Sequence, residues 1–374
     1  MPHRHTNHCG CRSLELNPLA KWLFEHNKKQ SAIFNSPEAK IDRINHRGRH
    51  PTEILALKCM DGRLNLPLMT ELPPGVIQPF RNIGGQFDLG WYPFQKELYE
   101  WMNYAYRKGR DCLVLVTYHF SKTNTQLGCK GFDYDTKAAR EAAFRLAREL
   151  RSSCTDSHEP LYAIVVGIET DSDTLILHGY DETPLSMLDC LSWSGEQLFS
   201  EMQNLFPCMS RRVIRDLLPL LEGNIRHTGR LEREPRAISD VFHKERILIV
   251  GRGVDWLHMP NLALIVGPFS YDLGTPVLRA GEILLDNLNS GRIKTEDGIV
   301  LLTSALHREE TLRVEQKFAA QKAMSLAEMS FSLLKKKLPA LAKHLCVIVG
   351  TTDMETRSFR NLTSQFHEKM SAKH

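Results

Sequence analysis

The sequence predicts an α/β protein in which one open sheet with covering helices occurs twice along the chain. Three observations carry this. Apolar runs of strand length, Glu53-Ile-Leu-Ala-Leu57 and Cys112-Leu-Val-Leu-Val-Thr117, are bounded by polar and glycine-rich segments. A strong helix former, Thr136–Arg151, follows the second run, with Asp135 in position to cap it. Four segments, three of them strand-like, then recur in the same order in the second half, the mark of an internal duplication.

The first run leads into Cys59-Met-Asp61-Gly-Arg63, a soft metal donor and a carboxylate–guanidinium pair within five residues. Residues spaced i, i+2, i+4 as they leave a strand point to one side, so Cys59, Asp61 and Arg63 can converge. Taken alone, the same residues read equally well as a core cysteine followed by a surface salt bridge. Two later residues shift the balance. The second run ends at His119, and Cys129 follows in the turn Gly128-Cys-Lys-Gly131, just before the helix. Cys59, His119 and Cys129 thus fall at strand ends or just before a helix, the edge where open α/β sheets hold their sites. Two thiolates and one imidazole without a fourth protein ligand describe a catalytic zinc centre with one open position. Cys154 and His158, a C-x3-H pair in a polar turn beyond the helix, offer an alternative second-cysteine ligand.

Cys59-x-Asp61-x-Arg63 resembles the C-x-D-S-R motif of β-class carbonic anhydrases, with Gly62 in place of the serine. Pro74-Gly75 and Phe80-Arg81-Asn82-Ile83-Gly84 resemble that family's proline-glycine turn and R-N-x-G segment, in the expected order. His119 and Cys129 then take the places of the H-x-x-C ligands, with nine residues between them rather than two. A long separation is a feature of the carboxysome shell branch of the β-class, to which the chain is most similar. The resemblance covers roughly residues 52–180. It implies one zinc per chain and reversible hydration of carbon dioxide to bicarbonate. Zinc-bound hydroxide would be aimed by Asp61, and Arg63 would keep Asp61 ionised and oriented.

The repeat fits the same family. Arg246-Ile-Leu-Ile-Val-Gly251 matches the strand before Cys59, and Gly267-Pro-Phe-Ser-Tyr-Asp-Leu-Gly274 echoes Gly85-Gln-Phe-Asp-Leu-Gly90. Asp297–Thr303 parallels Asp111–Thr117, and Cys346-Val-Ile-Val-Gly350 matches Tyr162–Gly167. In this register Cys59 becomes Gly251, Asp61 becomes Gly253, Arg63 becomes Asp255 and His119 becomes Ala305. The chemical residues are gone while the strands remain. The fold class expected is therefore a tandem of β-carbonic-anhydrase-like domains forming an intrachain pseudo-dimer, the second copy metal-free. Shared hydrophobic runs of any two α/β domains are the competing explanation.

Length and composition agree. The chain has 374 residues, enough for two domains with real cores, and its 42% hydrophobic and 25% charged content is that of a soluble globular protein. No apolar run approaches the roughly 18–20 residues of a membrane span, and the polar start lacks a signal peptide's core. A formal charge of +4 gives little footing for nucleic acid. Nine cysteines without a signal peptide suggest a reducing, cytoplasmic setting, with Cys112, Cys190 and Cys346 as packed hydrophobes.

The expected domains are a polar arm over 1–50 with a short helix capped by Asn17, a zinc-binding half over 51–235, and the degenerate half over 236–374. His3, His5, His8, Cys9 and Cys11 cluster in the arm, which is expected to be a disordered end, with a second metal site as the alternative. Helical patterns over Glu196–Phe206 and Ser210–Leu221, then the charged stretch Arg226–Arg236, read as the connection between halves. Glu309–Lys337 reads as one or two helices, with Met324 and Met329 as core filler. P-loop, dinucleotide-binding and nucleophile-elbow motifs are absent from the sequence.

Two rivals to the carbonic anhydrase reading stand beside it. One is a non-catalytic zinc scaffold, which a fourth protein ligand would favour. The other is a related hydrolase of carbon disulfide or carbonyl sulfide sharing the same site. Expected partners are the small-molecule substrate and a second copy in a homodimer, with no nucleic acid or membrane. Carboxysome association is open to it. The carboxysome shell branch carries a longer N-terminal region, largely missing here, so docking to a shell or to Rubisco is not expected.

Overall fold

The computed structural model describes residues 17–153, 161–236, 242–254, 259, 261–308 and 313–372. Two helices open it: α1, Pro18–Asn35, and α2, Pro37–Arg49. Asn17 caps α1 as its sequence implies, its Oδ1 accepting from the Ala20 amide at 3.0 Å, with Pro18 in the first turn. Helix α2 has no apolar signature in the sequence. Its inward side carries Arg43, His46, Arg47 and His50 instead of an apolar stripe, so the pattern that usually betrays a helix is missing.

The first sheet contains β1 (Glu53–Cys59), β2 (Ile77–Asn82), β3 (Cys112–Phe120), β4 (Leu161–Glu169), β5 (Thr174–His178) and β6 (Pro184–Ser186), in the order β2-β1-β3-β4-β5-β6. The first four pair in parallel and the last two add antiparallel. The second sheet contains β7 (Ile247–Gly251), β8 (Ala263–Val266), β9 (Ile299–His307), β10 (Leu345–Asp353) and β11 (Phe359–Asn361), in the order β11-β10-β9-β7-β8. Here too four neighbouring strands, β10, β9, β7 and β8, are parallel, and β11 adds antiparallel at the edge. Strands β1, β7 and β10 are buried along their whole length, as parallel strands covered on both faces must be.

Between strands lie α3 (Leu66–Met69), α4 (Tyr92–Arg107), α5 (Thr136–Ser153), α6 (Gly195–Leu205), α7 (Arg211–Arg233), α8 (Gly274–Asn289), α9 (Arg313–Lys337), α10 (Pro339–Ala342) and α11 (Thr363–Ser371). Asp135 caps α5 through the Ala138 amide at 3.0 Å. Met324 and Met329 on α9 pack against the main core. Cys112, Cys190 and Cys346 are buried and form no disulfide. The charged stretch after Leu221 is helix rather than connection: α7 runs to Arg233 because Asn224 ties it to the body. The Asn224 Nδ2 donates to the carbonyls of Met69 and Asp173 at 2.9 Å each, and its Oδ1 accepts from the Leu175 amide.

The two sheets meet edge to edge beside the end of β1. The Ile265 amide of β8 donates to the Met60 carbonyl at 2.8 Å, Asp61 bridges to Leu264, and the Gly267 amide donates to the Arg81 carbonyl at 2.9 Å. Phe80 and Phe269 stack across this seam with centroids 4.6 Å apart. The largest apolar core takes in residues of both sheets, Leu113 and Leu115 together with Leu248 and Leu301. Helix α1 crosses over as well. Its Leu19, Ala20 and Leu23 pack on Ile247, Ile249, Val300 and Ile348 of the second sheet, and Asn27 exchanges hydrogen bonds with the Arg357 carbonyl and the Phe359 amide.

Candidate metal centre

Two strand ends and one loop build the site. Cys59 is the last residue of β1, His119 the next to last of β3, and Cys129 follows the short 3-10 turn Thr125–Leu127. All three are buried, and their donor atoms lie within 4.8 Å of one another. Among the described residues, no other three His, Cys, Asp or Glu side chains gather in this way. The sulfurs of Cys59 and Cys129 stand 3.8 Å apart, unbonded. Two thiolates on a tetrahedral zinc at about 2.3 Å each would be separated by about 3.8 Å. Neither ring nitrogen of His119, a 2% exposed residue, has a hydrogen-bond partner of good geometry. Buried polar atoms are ordinarily paired, so an orphaned imidazole beside two sulfurs fits a metal ion.

The electrostatics agree with the donor chemistry. Hydrogen bonding to Cys129 holds the Cys59 thiol well below its ordinary range, and the neighbouring imidazole of His119 adds to this. The same contact, together with burial, pushes Cys129 up. Metal binding displaces protons from its ligands, and a lowered thiol beside a second sulfur suits that exchange. Cys129→Ala is therefore expected to lose stoichiometric metal while the sheets stay folded. Metal analysis alongside circular dichroism checks this, and full metal content in the variant would remove Cys129 from the ligand set.

Asp61 and Arg63 form a closed pair outside the three-donor cluster. Arg63 Nη2 donates to Asp61 Oδ2 at 2.6 Å, Nε lies 3.0 Å from each oxygen, and the Arg63 amide donates to Oδ1 at 2.9 Å. Burial alone would raise the Asp61 carboxyl, but the Arg63 guanidinium outweighs it and holds the group below the usual carboxylate range. Arg63 Nη2 also donates to the Leu127 carbonyl at 2.8 Å, which ties the pair to the loop carrying Cys129.

Beyond Arg81, whose R-N-x-G segment the sequence already marks, several contributors were not visible in the sequence. Arg81 clasps the turn after Cys59, donating to the carbonyls of Cys59, Asp61 and Leu64 at 3.1, 2.6 and 2.9 Å. Lys58, 1% exposed, donates to the same Leu64 carbonyl at 2.9 Å. A lysine inside an otherwise apolar strand is the one sequence signal that pointed to it. From the second half, His243 lies within electrostatic reach of Asp61 and Glu245 within reach of Arg63. The Glu245 carboxylate is fully buried and pairs with His243 at 2.8 Å. Nothing in their sequence neighbourhood marked them.

Gly62 also finds its reason here. A Cβ on it would stand 2.3 Å from the Ala263 carbonyl oxygen and 3.2 Å from that of Met259. The second sheet occupies the space that a serine side chain would need. Cys154, His158 and the His/Cys cluster of the first dozen residues lie outside the described residues.

Fold and site together define an α/β protein with a buried Cys-His-Cys cluster able to hold a metal ion. Residues 44–227 match the family model described as "Carboxysome Shell Carbonic Anhydrase, catalytic domain". Among curated proteins the chain is 24% identical over 268 residues to the carboxysome shell carbonic anhydrase of Prochlorococcus marinus subsp. pastoris, covering 62% of this chain and 51% of that protein. It is 24% identical over 261 residues to that of Halothiobacillus neapolitanus, covering 55% and 48%. A second Prochlorococcus marinus protein of the same name, from strain MIT 9313, is 23% identical over 270 residues, covering 63% and 51%. Over these stretches the chain is similar to carboxysome shell carbonic anhydrases, and it spans about half the length of the curated relatives it matches.

Proposed function

We propose that this chain is a zinc-dependent carbonic anhydrase interconverting carbon dioxide and bicarbonate. Cys59, His119 and Cys129 would be its metal ligands, and Asp61 and Arg63 its catalytic pair. The observation that carries this is the convergence of three buried donors beside a carboxylate that stays on its arginine, within the segment matching the family. Bound zinc would supply a Lewis acid that lowers the pKa of a coordinated water and so provides a nucleophile near neutral pH. Asp61, held ionised, has no proton to give and can only accept. Its carboxylate takes the hydrogen bond of the attacking water and fixes the direction of the oxygen lone pair. Arg63 keeps Asp61 charged and in place, while the Leu127 carbonyl and the clasp by Arg81 keep the loop from shifting.

The second sheet is, in this reading, a metal-free copy of the first that supplies the partner face of a pseudo-dimer. Shared strand order supports it, and so does register. Leu57 faces Val116 as Ile249 faces Leu302, and His119 faces Ile168 as Ala305 faces Thr351. At the place of Cys59, Gly251 has φ 121°, and a Cβ there would lie 1.9 Å from the Ser304 carbonyl oxygen. The backbone itself leaves no room for a ligand. Asp255, the counterpart of Arg63, lies outside the described residues. No described helix is long and apolar enough to cross a membrane. A carboxysomal setting belongs to the same proposal, carried by the relatives' names.

Stopped-flow carbon dioxide hydration on protein of measured zinc content tests the whole reading. One zinc per chain with turnover well above buffer is the expected result. Zinc without turnover would favour the scaffold or the sulfur-substrate hydrolase, and a chain that takes up no zinc would end the proposal. Two thiolates and a neutral imidazole leave zinc formally uncharged, so activity should rise from about pH 7 to about pH 9, more alkaline than a three-histidine site requires. A flat or falling profile over that span would contradict the ligand set.

A further inference from the structure

Nine residues separate His119 from Cys129, and two working parts of the site hang from that segment. One is Cys129 itself; the other is the Leu127 carbonyl that accepts from Arg63. A surface loop of this length has many conformations unless something outside it removes them. A single carboxylate does so. Asp171 lies in the turn between β4 and β5, and Ser121 Oγ donates to its two oxygens at 2.8 and 3.0 Å. The amides of Lys122 and Thr123 donate to its Oδ2 at 2.9 and 3.0 Å.

From there the ordering runs along the loop. Ser121 Oγ accepts from the Asn124 amide at 3.0 Å, and Asn124 Oδ1 accepts from the Gln126 amide at 3.0 Å. The Gly128 amide then closes on the Thr125 carbonyl at 2.9 Å, one residue short of Cys129. Asp171 is itself anchored. Its amide donates to Glu169 Oε1 at 2.8 Å, and Arg236 Nη2 donates to its carbonyl at 3.1 Å. Burial would raise the Asp171 carboxyl, but the hydrogen bonds, that from the Thr123 amide foremost, hold it below its ordinary value, so it is ionised where it works.

We propose that Asp171 is a positioning residue for the metal centre, fixing the loop that presents Cys129 as a ligand and Leu127 as the anchor of Arg63. The proposal rests on the Cys59–His119–Cys129 reading of the site. Asp171 touches neither metal donors nor substrate and acts through the loop. Outer groups that orient ligands commonly change metal affinity by about 10- to 100-fold when removed.

The test uses Asp171→Asn, which keeps the shape and removes the charge and most of the accepting capacity. Ser121→Ala serves as the milder variant, and Asp181→Asn as a control. Asp181 fastens the Thr183 amide and hydroxyl in a separate turn, so its loss reports the generic effect of freeing a turn. Three readouts are needed: amide exchange over 121–129 in metal-free protein, zinc release to a chelator, and the absorption spectrum of the cobalt-substituted form. Asp171→Asn is expected to speed exchange at Lys122 and Thr123 by at least about tenfold and zinc release by about 10- to 100-fold. Its thiolate-to-cobalt band should change as well, with Ser121→Ala intermediate and Asp181→Asn unchanged. Wild-type exchange in Asp171→Asn would overturn the clamp. A freed loop with unaltered zinc release and cobalt spectrum would overturn its role at the metal centre. A wild-type chain without metal affinity would instead overturn the reading beneath it.

Discussion

Asp61→Asn should keep its zinc and lower turnover by about 10²- to 10⁴-fold, the range for loss of a positioned proton acceptor. The amide is nearly the same shape as the carboxylate and leaves Cys59, His119 and Cys129 untouched, so metal content should stay at the wild-type level. What disappears is the negative charge. The amide turns one acceptor into a donor, and the water it faces loses the partner that fixed its direction. A stability change is expected too. Arg63 is buried with Asp61 as its counter-charge, and breaking a buried pair costs about 3–5 kcal/mol when a partner is removed outright, so the isosteric amide should cost less. Hydration rates measured on zinc-loaded protein decide the matter. A wild-type rate would refute the role given to Asp61, and loss of zinc with loss of rate would recast it as structural.

Gly62→Ser restores the residue that the β-class motif carries at this place, yet it should damage this chain. The new Cβ would fall 2.3 Å from the Ala263 carbonyl oxygen, and the obstruction is backbone, which cannot rotate aside. Either the turn holding Asp61 and Arg63 must move or the edge of the second sheet must. Overpacking of this kind costs about 1–3 kcal/mol and occasionally more. The hydrogen bond from Ile265 to Met60 and the clasp of Arg81 lie within the displaced region, so zinc affinity should fall together with the melting temperature. A serine variant as stable and as metal-tight as wild type would show that the seam yields more easily than its geometry implies.

Much of the first half could be read from the residues. Apolar runs marked β1 and β3, Asp135 marked the start of α5, and cysteine and histidine spacing picked out donors that do lie together. These features are written locally, in period and in residue type. Features that depend on distant contacts stayed hidden. Helix α2 turns a basic face inward, so hydrophobic periodicity could not find it, and α7 continues past Leu221 because Asn224 reaches Met69 and Asp173. Gly62 looked like the loss of a useful serine until β8 was seen to fill its side-chain space. Asp171, His243 and Glu245 are remote in sequence from the donors and carry no motif.

The crossing of α1 onto the second sheet sets an order for the events of synthesis. The apolar side of this helix, Leu19, Ala20 and Leu23, leaves the ribosome long before its resting place on Val300 and Ile348 has been made. At about 5–20 residues per second the helix waits on the order of tens of seconds for its surface to exist. The wall over Gly62 arrives late as well, since β8 follows the whole first sheet. A nascent chain halted after α7 would therefore expose both a greasy helix and an unroofed turn at Asp61–Arg63, the state in which a chaperone would meet it.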